Sequence, residues 1–223
     1  MGQSSSSAPD TSTPLLIVHR VNDPARVKAL FSPDGGSPDG FELDVHSNGA
    51  QWFVGHDRSD EGVTWDAYWR RVRTDMTESQ LIQRVKIVYI DIKTPSAENL
   101  IELADIQNVL PTITFLFATA NGRDARHMMR LPAHCILVAD FENQKEAHEV
   151  WSQYGRRFWL ADGIAAGVVK QSRILSDRDW PYMVEGRLSW TYSDLNTWRR
   201  DVEALQLTAT IVTESLLRKI KTA

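Results

Sequence analysis

Two carboxylates, Glu42 and Asp44, stand two residues apart in the apolar segment 41–45. In a β-strand, residues at this spacing point to the same face, so the two side chains would lie together. Neighbouring anions repel each other, and burying them unpaired is costly. A divalent cation removes both problems, and oxygen-only ligands favour magnesium, with calcium as the alternative. The competing interpretation is a solvent-facing pair at a strand end, balanced by arginines.

A third carboxylate, Asp91, lies in the apolar segment 89–93 (YIDIK). It could supply a third oxygen, and the only cation on the flank of any of these carboxylates is Lys93. We therefore expect Glu42, Asp44 and Asp91 to converge on one ion, at hard-cation distances of about 2.0–2.6 Å.

Two histidines follow apolar runs: His19 ends the run 15–18, and His56 follows 52–55. Each alone is more often a hydrogen-bonded structural residue than a catalyst. Beside a carboxylate-held metal, however, the pair would suit phosphoryl chemistry, one as base or nucleophile and the other as acid for the leaving group. The other histidines have weaker contexts and are predicted to be structural or superficial: His46, His127, His134 and His148.

The elements that must position these residues alternate along the chain between short apolar runs and helical patterns. We predict strands at 15–18, 41–45, 51–54, 85–92, 112–117, 135–139, 158–160, 186–192 and 209–213. We predict helices at 23–31, 64–73, 95–109, 122–129, 144–154 and 193–205, followed by a terminal helix. This is the pattern of a parallel α/β protein. A flexible, Ser-rich tail is expected over 1–13, and with no internal linker the rest, 14–223, is predicted to be one domain.

The placement of the polar residues favours a closed (β/α)8 TIM-type barrel over an open doubly wound sheet. Candidate groups end three of the predicted strands, and in a barrel the carboxyl ends of the strands converge on one mouth that holds the active site. An open sheet would leave these groups unexplained, because the chain lacks a glycine-rich phosphate loop. With 223 residues the chain is at the small end of the barrel range, so a compact barrel with trimmed loops is expected.

Composition excludes several classes of function. The formal net charge of −4 makes nucleic acid an unsuitable partner. The single cysteine, Cys135, excludes an intramolecular disulfide, and no apolar run approaches the roughly 20 residues of a membrane span. With no signal-like start, we expect a cytoplasmic protein without an obligate protein partner. The opening MGQSSS resembles an N-myristoylation signal, which by itself would give at most peripheral membrane contact.

Four motifs in this order resemble the glycerophosphodiester phosphodiesterase superfamily: VHRVND at 18–23, FELDV at 41–45, GH at 55–56 and IDIKT at 90–94. More narrowly, His-x-Val-Asn-Asp and Asp-x-Lys-Thr are similar to the sphingomyelinase D / phospholipase D branch known from spider venoms and some microbes. The segments SWTY at 189–192 and TIVT at 210–213 resemble the last two strands of the superfamily.

The resemblance implies a (β/α)8 barrel that holds one magnesium-type ion. It assigns the paired acid/base or nucleophile roles to His19 and His56. The implied metal ligands are Glu42, Asp44 and Asp91.

The resemblance also implies three substrate-binding residues. Lys93 would lie against the phosphate or a metal-bound carboxylate, and Trp190 would line the mouth. Arg20 matches the His-Arg start of the glycerophosphodiesterases, where it can grip phosphate bidentately. The segment 21–23 (VND) instead favours the venom-like branch, although Glu214 stands where that branch often has asparagine.

We therefore expect a phosphoric diester hydrolase or phosphorus–oxygen lyase of the phospholipase D-like type. Its substrate would be a small-molecule or lipid phosphodiester, in the leading hypothesis the headgroup of a (lyso)phospholipid, with intramolecular cyclisation as one route. The alternative is a soluble glycerophosphodiester phosphodiesterase, which Arg20 supports. The alternative from another class is a catalytically silent barrel used for binding.

The helix predicted at 64–73 bears on the lipid hypothesis, because Trp65, Tyr68 and Trp69 lie on one stripe of it. The simplest interpretation is core packing against the barrel. An exposed aromatic set would instead suit a membrane interface.

Overall fold

The computed structural model describes residues 13–57, 62–119, 125–139, 158–163, 184–205 and 207–223, together with the single residues 150 and 155. The predicted tail up to residue 12 lies outside this part of the chain. So do nearly all of the predicted helix 144–154 and most of the stretch 162–182.

Eight parallel strands of the described chain form a closed (β/α)8 barrel, as the sequence predicts. The strands of the described residues are β1 (Leu15–Val18), β2 (Gly40–Ser47), β3 (Trp52–Val54), β4 (Val63–Thr64), β5 (Ile87–Ile92), β6 (Thr114–Thr119), β7 (Ile136–Ala139), β8 (Phe158–Gly163), β9 (Val184–Tyr192) and β10 (Ala209–Val212). The barrel strands neighbour each other in the order β1-β10-β9-β8-β7-β6-β5-β2, and pairing of β1 with β2 closes the ring. The short strands β3 and β4 extend the sheet from the end of β2 in antiparallel pairing.

Helices of the described residues follow most of the barrel strands, and several begin at polar caps. The side chain of Asp23 accepts a hydrogen bond from Ala25 N, Thr64 caps the second helix, and Thr213 caps the last. None of the helices in the described ranges is long and apolar enough to cross a membrane. The helices are α1 (Pro24–Phe31), α2 (Trp65–Glu78), α3 (Ile106–Val109), α4 (Ala125–Met128), α5 (Leu195–Leu205) and α6 (Glu214–Thr222).

The predicted helix 95–109 was wrong in its type and length. The structure has a turn at its start, then a 3-10 segment (Leu100–Asp105) and only one α-helical turn, α3. Tertiary contacts explain the difference. The backbone carbonyl of Asn99 accepts the indole N–H of Trp52, and its side chain accepts from Ser47 Oγ, which ties the start of this segment to the β2–β3 hairpin.

The core has two layers, one on each side of the barrel wall. The inner layer consists of alternate strand residues that fill the barrel: Ile17, Ile87, Tyr89, Leu116, Ala118, Val138, Trp159, Ala161, Leu188, Ala209 and Ile211. The outer layer packs the opposite faces of the strands against the helices. The aromatic stripe of α2 belongs to it: Trp65, Tyr68 and Trp69 are all buried, and the Trp69 ring packs on Phe41. These rings are therefore core residues and not a membrane-facing set.

Gly40, at the amino end of β2, makes the tightest approach of the described glycines in the barrel wall, because it pairs with Ile17 on one side and Ile87 on the other. A Cβ there would lie 1.9 Å from the carbonyl oxygen of Ile87. We expect Gly40→Ala to lower the free energy of unfolding by about 3 kcal/mol or more, at the upper end of overpacking effects. Chemical denaturation measures this change.

The matched control is Gly49→Ala in the β2–β3 turn, where a Cβ meets nothing within 4 Å. That glycine has φ of +98°, so alanine should cost about 1–2 kcal/mol of backbone strain and no overpacking. Equal losses for the two variants would contradict the close approach at Gly40.

Candidate active site

Strand register brings the three predicted carboxylates together at the carboxyl ends of β2 and β5. Asp44 pairs directly with Asp91, and Glu42 lies two residues earlier on the same face of β2. Each residue has an oxygen within 4.8 Å of the other two. All three are buried, with relative exposures of 0%, 1% and 2% for Glu42, Asp44 and Asp91. The interpretation as a solvent-facing pair is therefore wrong.

The protein contacts at least one oxygen of each carboxylate. Glu42 Oε2 accepts the backbone N–H of Arg20 at 2.5 Å, Asp44 Oδ2 accepts the Asn22 amide at 2.9 Å, and Asp91 Oδ2 accepts Lys93 Nζ at 2.5 Å. The other oxygens of Glu42 and Asp91 are buried and accept no hydrogen bond in the described residues. Burying an anionic oxygen without a partner costs free energy. Oxygen atoms of this kind are the usual ligands of a hard divalent cation, which would satisfy them.

Lys93 stands between the two aspartates. Its Nζ lies 2.8 Å from Asp44 Oδ1 as well as 2.5 Å from Asp91 Oδ2. Burial alone would lower the pKa of Lys93, but the charges of Asp91 and Asp44 outweigh burial and raise it. The side chain is thus an ammonium ion that compensates part of the negative charge of the cluster.

Protonation differs among the carboxylates. Burial, followed by the charges of Asp44 and Asp91, raises the pKa of Glu42 well above its ordinary value. Burial also raises the pKa of Asp91. For Asp44, burial acts in the same direction, but Lys93 and the Asn22 amide outweigh it, so its pKa is lowered. Without a cation, Glu42 is therefore the carboxyl that most readily holds a proton.

Because a proton on Glu42 competes with a cation for the same oxygen, we expect Mg²⁺ binding to weaken as the pH falls and to release protons on binding. Calorimetric titration of Mg²⁺ into metal-free protein, in two buffers with different protonation enthalpies, measures this release directly. Heats that are the same in both buffers would show that Glu42 is already ionised, contrary to the raised pKa. Titration of Mg²⁺ into buffer alone is the control.

His19 follows β1 and lies against the carboxylate cluster. Its Nε2 is 3.8 Å from Glu42 Oε2, and its backbone N–H donates to Val212 O on β10. Burial, and secondly the charge of Arg20, lowers the pKa of His19 to about 4. The imidazole is therefore neutral at pH 7 and is able to accept a proton or to attack.

His56 forms a hydrogen-bonded line with its neighbours. Arg20 Nη2 lies 2.8 Å from His56 Nε2, and His56 Nδ1 lies 3.0 Å from Asp57 Oδ1. A guanidinium has only donors, so Nε2 accepts, and the ring proton on Nδ1 points to Asp57. The structure thus brings His56 to the site, with the guanidinium of Arg20 on its Nε2.

Arg20 is held in a left-handed backbone conformation, with φ of 56°. Its N–H donates to Glu42 Oε2, and its carbonyl accepts from Arg26 Nη1 at 2.8 Å. Arg26 Nη2 also lies 3.0 Å from Glu214 Oε2, so Glu214 is linked to Arg20 through Arg26. A non-glycine residue in this conformation is a strained point that its surroundings must maintain.

Trp190, the predicted lining residue, lies on β9 opposite Gly163 of β8, and its side chain is outside the described part of the chain. Two residues near the site were not predicted to belong to it. The first is Asn22, which is hydrogen-bonded to Asp44. The second is His46, which was expected to be a structural or surface residue. His46 is buried on the same face of β2 as Glu42 and Asp44, and its Nε2 has no partner in the described residues. The spacing of 42, 44 and 46 was the signal that could have indicated it.

A separate cavity of about 570 Å³ lies outside the barrel, beside α2 and the 3-10 segment Leu100–Asp105. Trp52, Trp65 and Trp69 form part of its lining, and none of the predicted site residues does. The candidate site at the barrel mouth and this outer cavity are therefore distinct.

Comparison with solved structures finds a similar fold in two phosphodiesterases. A glycerophosphodiester phosphodiesterase from Agrobacterium tumefaciens superposes with a TM-score of 0.59 at 14% identity, over 95% of this chain and 100% of that chain. An Oleispira antarctica phosphodiesterase, solved in complex with the product sn-glycerol-3-phosphate, gives 0.62 at 12% identity, over 94% and 96%. No protein-family model matches the chain, and no curated protein matches it either.

The fold and the site define a (β/α)8-barrel protein with a buried carboxylate cluster at the mouth of the barrel. Among solved structures, it is similar to the glycerophosphodiester phosphodiesterases. At these identities the likeness establishes the shared barrel, and what the chain does has to be argued from its own residues.

Proposed function

We propose that this protein is a metal-dependent phosphodiesterase that works at the mouth of its barrel. The observation that carries the proposal is the buried cluster of Glu42, Asp44 and Asp91, in which two oxygens lack a partner among the described residues. These three residues would hold the ion. When bound, a divalent cation supplies charge neutralisation for a phosphate diester.

Two cationic side chains are available to the phosphate. Arg20 is exposed at the end of β1 and offers the planar fork that fits two phosphate oxygens at once. Lys93 offers a point charge beside Asp44 and Asp91. Together they would orient the diester with its phosphorus between His19 and His56.

Bond making and breaking then fall to the two histidines. Neutral His19 takes the proton of an attacking hydroxyl as a bond forms to phosphorus. If His19 itself attacks, a hydroxyl or water must then displace it from phosphorus to release the product. The bond from phosphorus to the departing alcohol breaks, and His56 donates a proton to that oxygen. The lowered pKa of His19 keeps it in the form that this role needs at neutral pH.

Arg20 links binding of the phosphate to the release of His56, the proposed acid for the leaving group. In this structure its guanidinium occupies His56 Nε2. A bound phosphate competes for the same guanidinium because a charged acceptor makes the stronger hydrogen bond. Movement of Arg20 to the phosphate frees Nε2 of His56 to take up a proton from solvent, and this is the proton that His56 gives to the leaving oxygen.

We infer that the substrates are glycerophosphodiesters. The similar Oleispira antarctica phosphodiesterase was solved with sn-glycerol-3-phosphate as its product, which supports a small substrate of this class. A second candidate is cleavage of a lysophospholipid headgroup by attack of its own hydroxyl, giving a cyclic phosphate. Asn22 and Lys93 support this candidate. Both belong to the motifs that resemble the venom-like branch, and both contact Asp44.

Phosphorus NMR of reaction products tests both candidates. Purified protein is incubated with glycerophosphocholine, glycerophosphoethanolamine and lysophosphatidylcholine, with Mg²⁺ and, in parallel, with EDTA. Linear glycerol phosphate from the first two supports the glycerophosphodiesterase proposal, and a cyclic phosphate from the lysolipid supports the second candidate. Absence of turnover on all three substrates, or full turnover in EDTA after removal of metal, would contradict the proposed function.

A further inference from the structure

The hydrogen bonds that the protein makes to the three carboxylates bear on which cation the site prefers. Glu42 gives one oxygen to the Arg20 backbone, and Asp91 gives one to Lys93. Asp44 gives one to the side chain of Asn22. The other oxygen of Asp44, Oδ1, lies 2.8 Å from the partly exposed ammonium of Lys93. An ion that displaces Lys93 from Oδ1 would therefore meet one oxygen from each residue and not two.

One-oxygen carboxylates suit one cation better than the other. Calcium takes six to eight oxygen ligands and commonly uses both oxygens of a carboxylate, whereas magnesium requires compact octahedral geometry and retains several waters. Three single oxygens leave positions for water and phosphate, which is an arrangement that magnesium accepts and that under-coordinates calcium.

Asn22 is the side chain that enforces this arrangement at Asp44. Its Oδ1 accepts the backbone N–H of Asp44 at 2.9 Å, while its Nδ2 donates to Asp44 Oδ2 at 2.9 Å. This two-point grip fixes both the main chain and the carboxylate. By contrast, the Lys93 ammonium that contacts the other oxygen of Asp44 ends a long side chain that is 26% exposed.

The position at which β1 stops pairing with β2 explains why Asn22 can make both hydrogen bonds. Pairing of β1 with β2 covers only Ile17 with Gly40 and Val18 with Phe41. Beyond Val18, no strand of the described residues pairs with this edge of β2. The chain compensates with single contacts. Val21 N–H donates to Glu42 O at 2.8 Å, and the Asn22 amide takes the next free N–H along β2, that of Asp44.

Asn22 is itself held in place from both sides. The buried hydroxyl of Tyr68 donates to the carbonyl of Val21 at 2.6 Å, and Asp23 caps α1. The amide therefore cannot follow Asp44 if that carboxylate turns to offer both oxygens to an ion. We propose that Asn22 determines the cation preference of the site, keeping Asp44 a one-oxygen ligand and so favouring magnesium over calcium. This rests on the metal site of the proposed function.

The test compares Mg²⁺ and Ca²⁺ affinities by calorimetry of the metal-free full chain, without substrate. The wild type is expected to bind Mg²⁺ more tightly than Ca²⁺. Asn22→Ala should weaken Mg²⁺ binding by about 10–100-fold, the usual loss for an outer partner of a metal ligand, with a smaller effect on Ca²⁺. The ratio of the two affinities thereby moves towards calcium. Asn196→Ala, on the exposed face of α5, is the matched control and should leave both affinities unchanged.

Asn22→Asp provides a second variant in case the alanine variant does not fold. It retains an acceptor for the Asp44 N–H but has no donor for Oδ2, so the ratio should again move towards calcium. A ratio that stays within twofold of wild type in the folded variants, or a wild type that binds both ions equally, would overturn the proposal. Diester turnover is assayed separately. A magnesium preference without turnover would reject the proposed function alone, and turnover without a preference would reject this inference alone.

Discussion

Glu42→Gln is expected to abolish metal-stimulated diester turnover and yet leave the protein folded and at least as stable as the wild type in EDTA. The amide has nearly the shape of the carboxylate, but it brings no charge to an ion. Loss of an outer partner alone costs about 10–100-fold in metal affinity or activity, so loss of a ligand should exceed about 100-fold. The measurements are turnover with Mg²⁺ and a thermal melt in EDTA.

The stability half of this prediction follows from the burial of Glu42 beside Asp44 and Asp91, which raises its pKa. Removing an ionisable group from such a cluster relieves repulsion in the metal-free protein. Glu102→Gln, the same change at an exposed position, is the control and should affect neither quantity. Turnover by Glu42→Gln within a few-fold of wild type would show that Glu42 is not a metal ligand.

His56→Ala and His19→Ala should each lose about 10²–10⁴-fold in turnover of a natural diester, because each loses one half of an acid–base pair. The two variants should differ when the leaving alcohol is replaced by 4-nitrophenol. This group departs without a proton, so it should restore much of the activity of His56→Ala. It should not rescue His19→Ala, in which the step that forms the new bond is lost.

His134→Ala removes an exposed histidine away from the cluster and is the matched control for both variants. Circular dichroism confirms that each variant is folded. If His56→Ala loses as much activity on the 4-nitrophenyl diester as on the natural one, His56 does not act as the leaving-group acid. If the activated diester restores His19→Ala to the same degree, the assignment of opposite roles to the two histidines is wrong.

Much of the barrel could be predicted from local sequence patterns. Where the prediction was wrong, the error has a physical cause. Strand runs such as 15–18 and, to within one residue, 209–213 depend on neighbouring residues, as does the cap at Asp23, so sequence spacing is sufficient to find them. The segment 95–109 failed because its conformation depends on distant contacts. Asn99 is bound to the β2–β3 hairpin through Trp52 and Ser47, and helical propensity does not contain that information.

The same division holds in the candidate site. The spacing of Glu42 and Asp44 was sufficient to place both carboxylates on one face of a strand, because side chains alternate along any strand. That Asp44 stands opposite Asp91 depends on the register of β2 and β5, which a long-range pairing sets. Local sequence also could not show that the guanidinium of Arg20 lies on His56, since these residues are 36 positions apart.

By itself, then, the sequence determined which chemical groups this protein has and on which strand ends they stand, because residue type and alternation are local properties. Only the tertiary structure decided which oxygens of the carboxylates remain available. That depends on where β1 stops pairing with β2, which brings Asn22 onto Asp44, and on the reach of Lys93 between two strands. Closure of the barrel creates these contacts between residues far apart in the chain, and no single segment contains them.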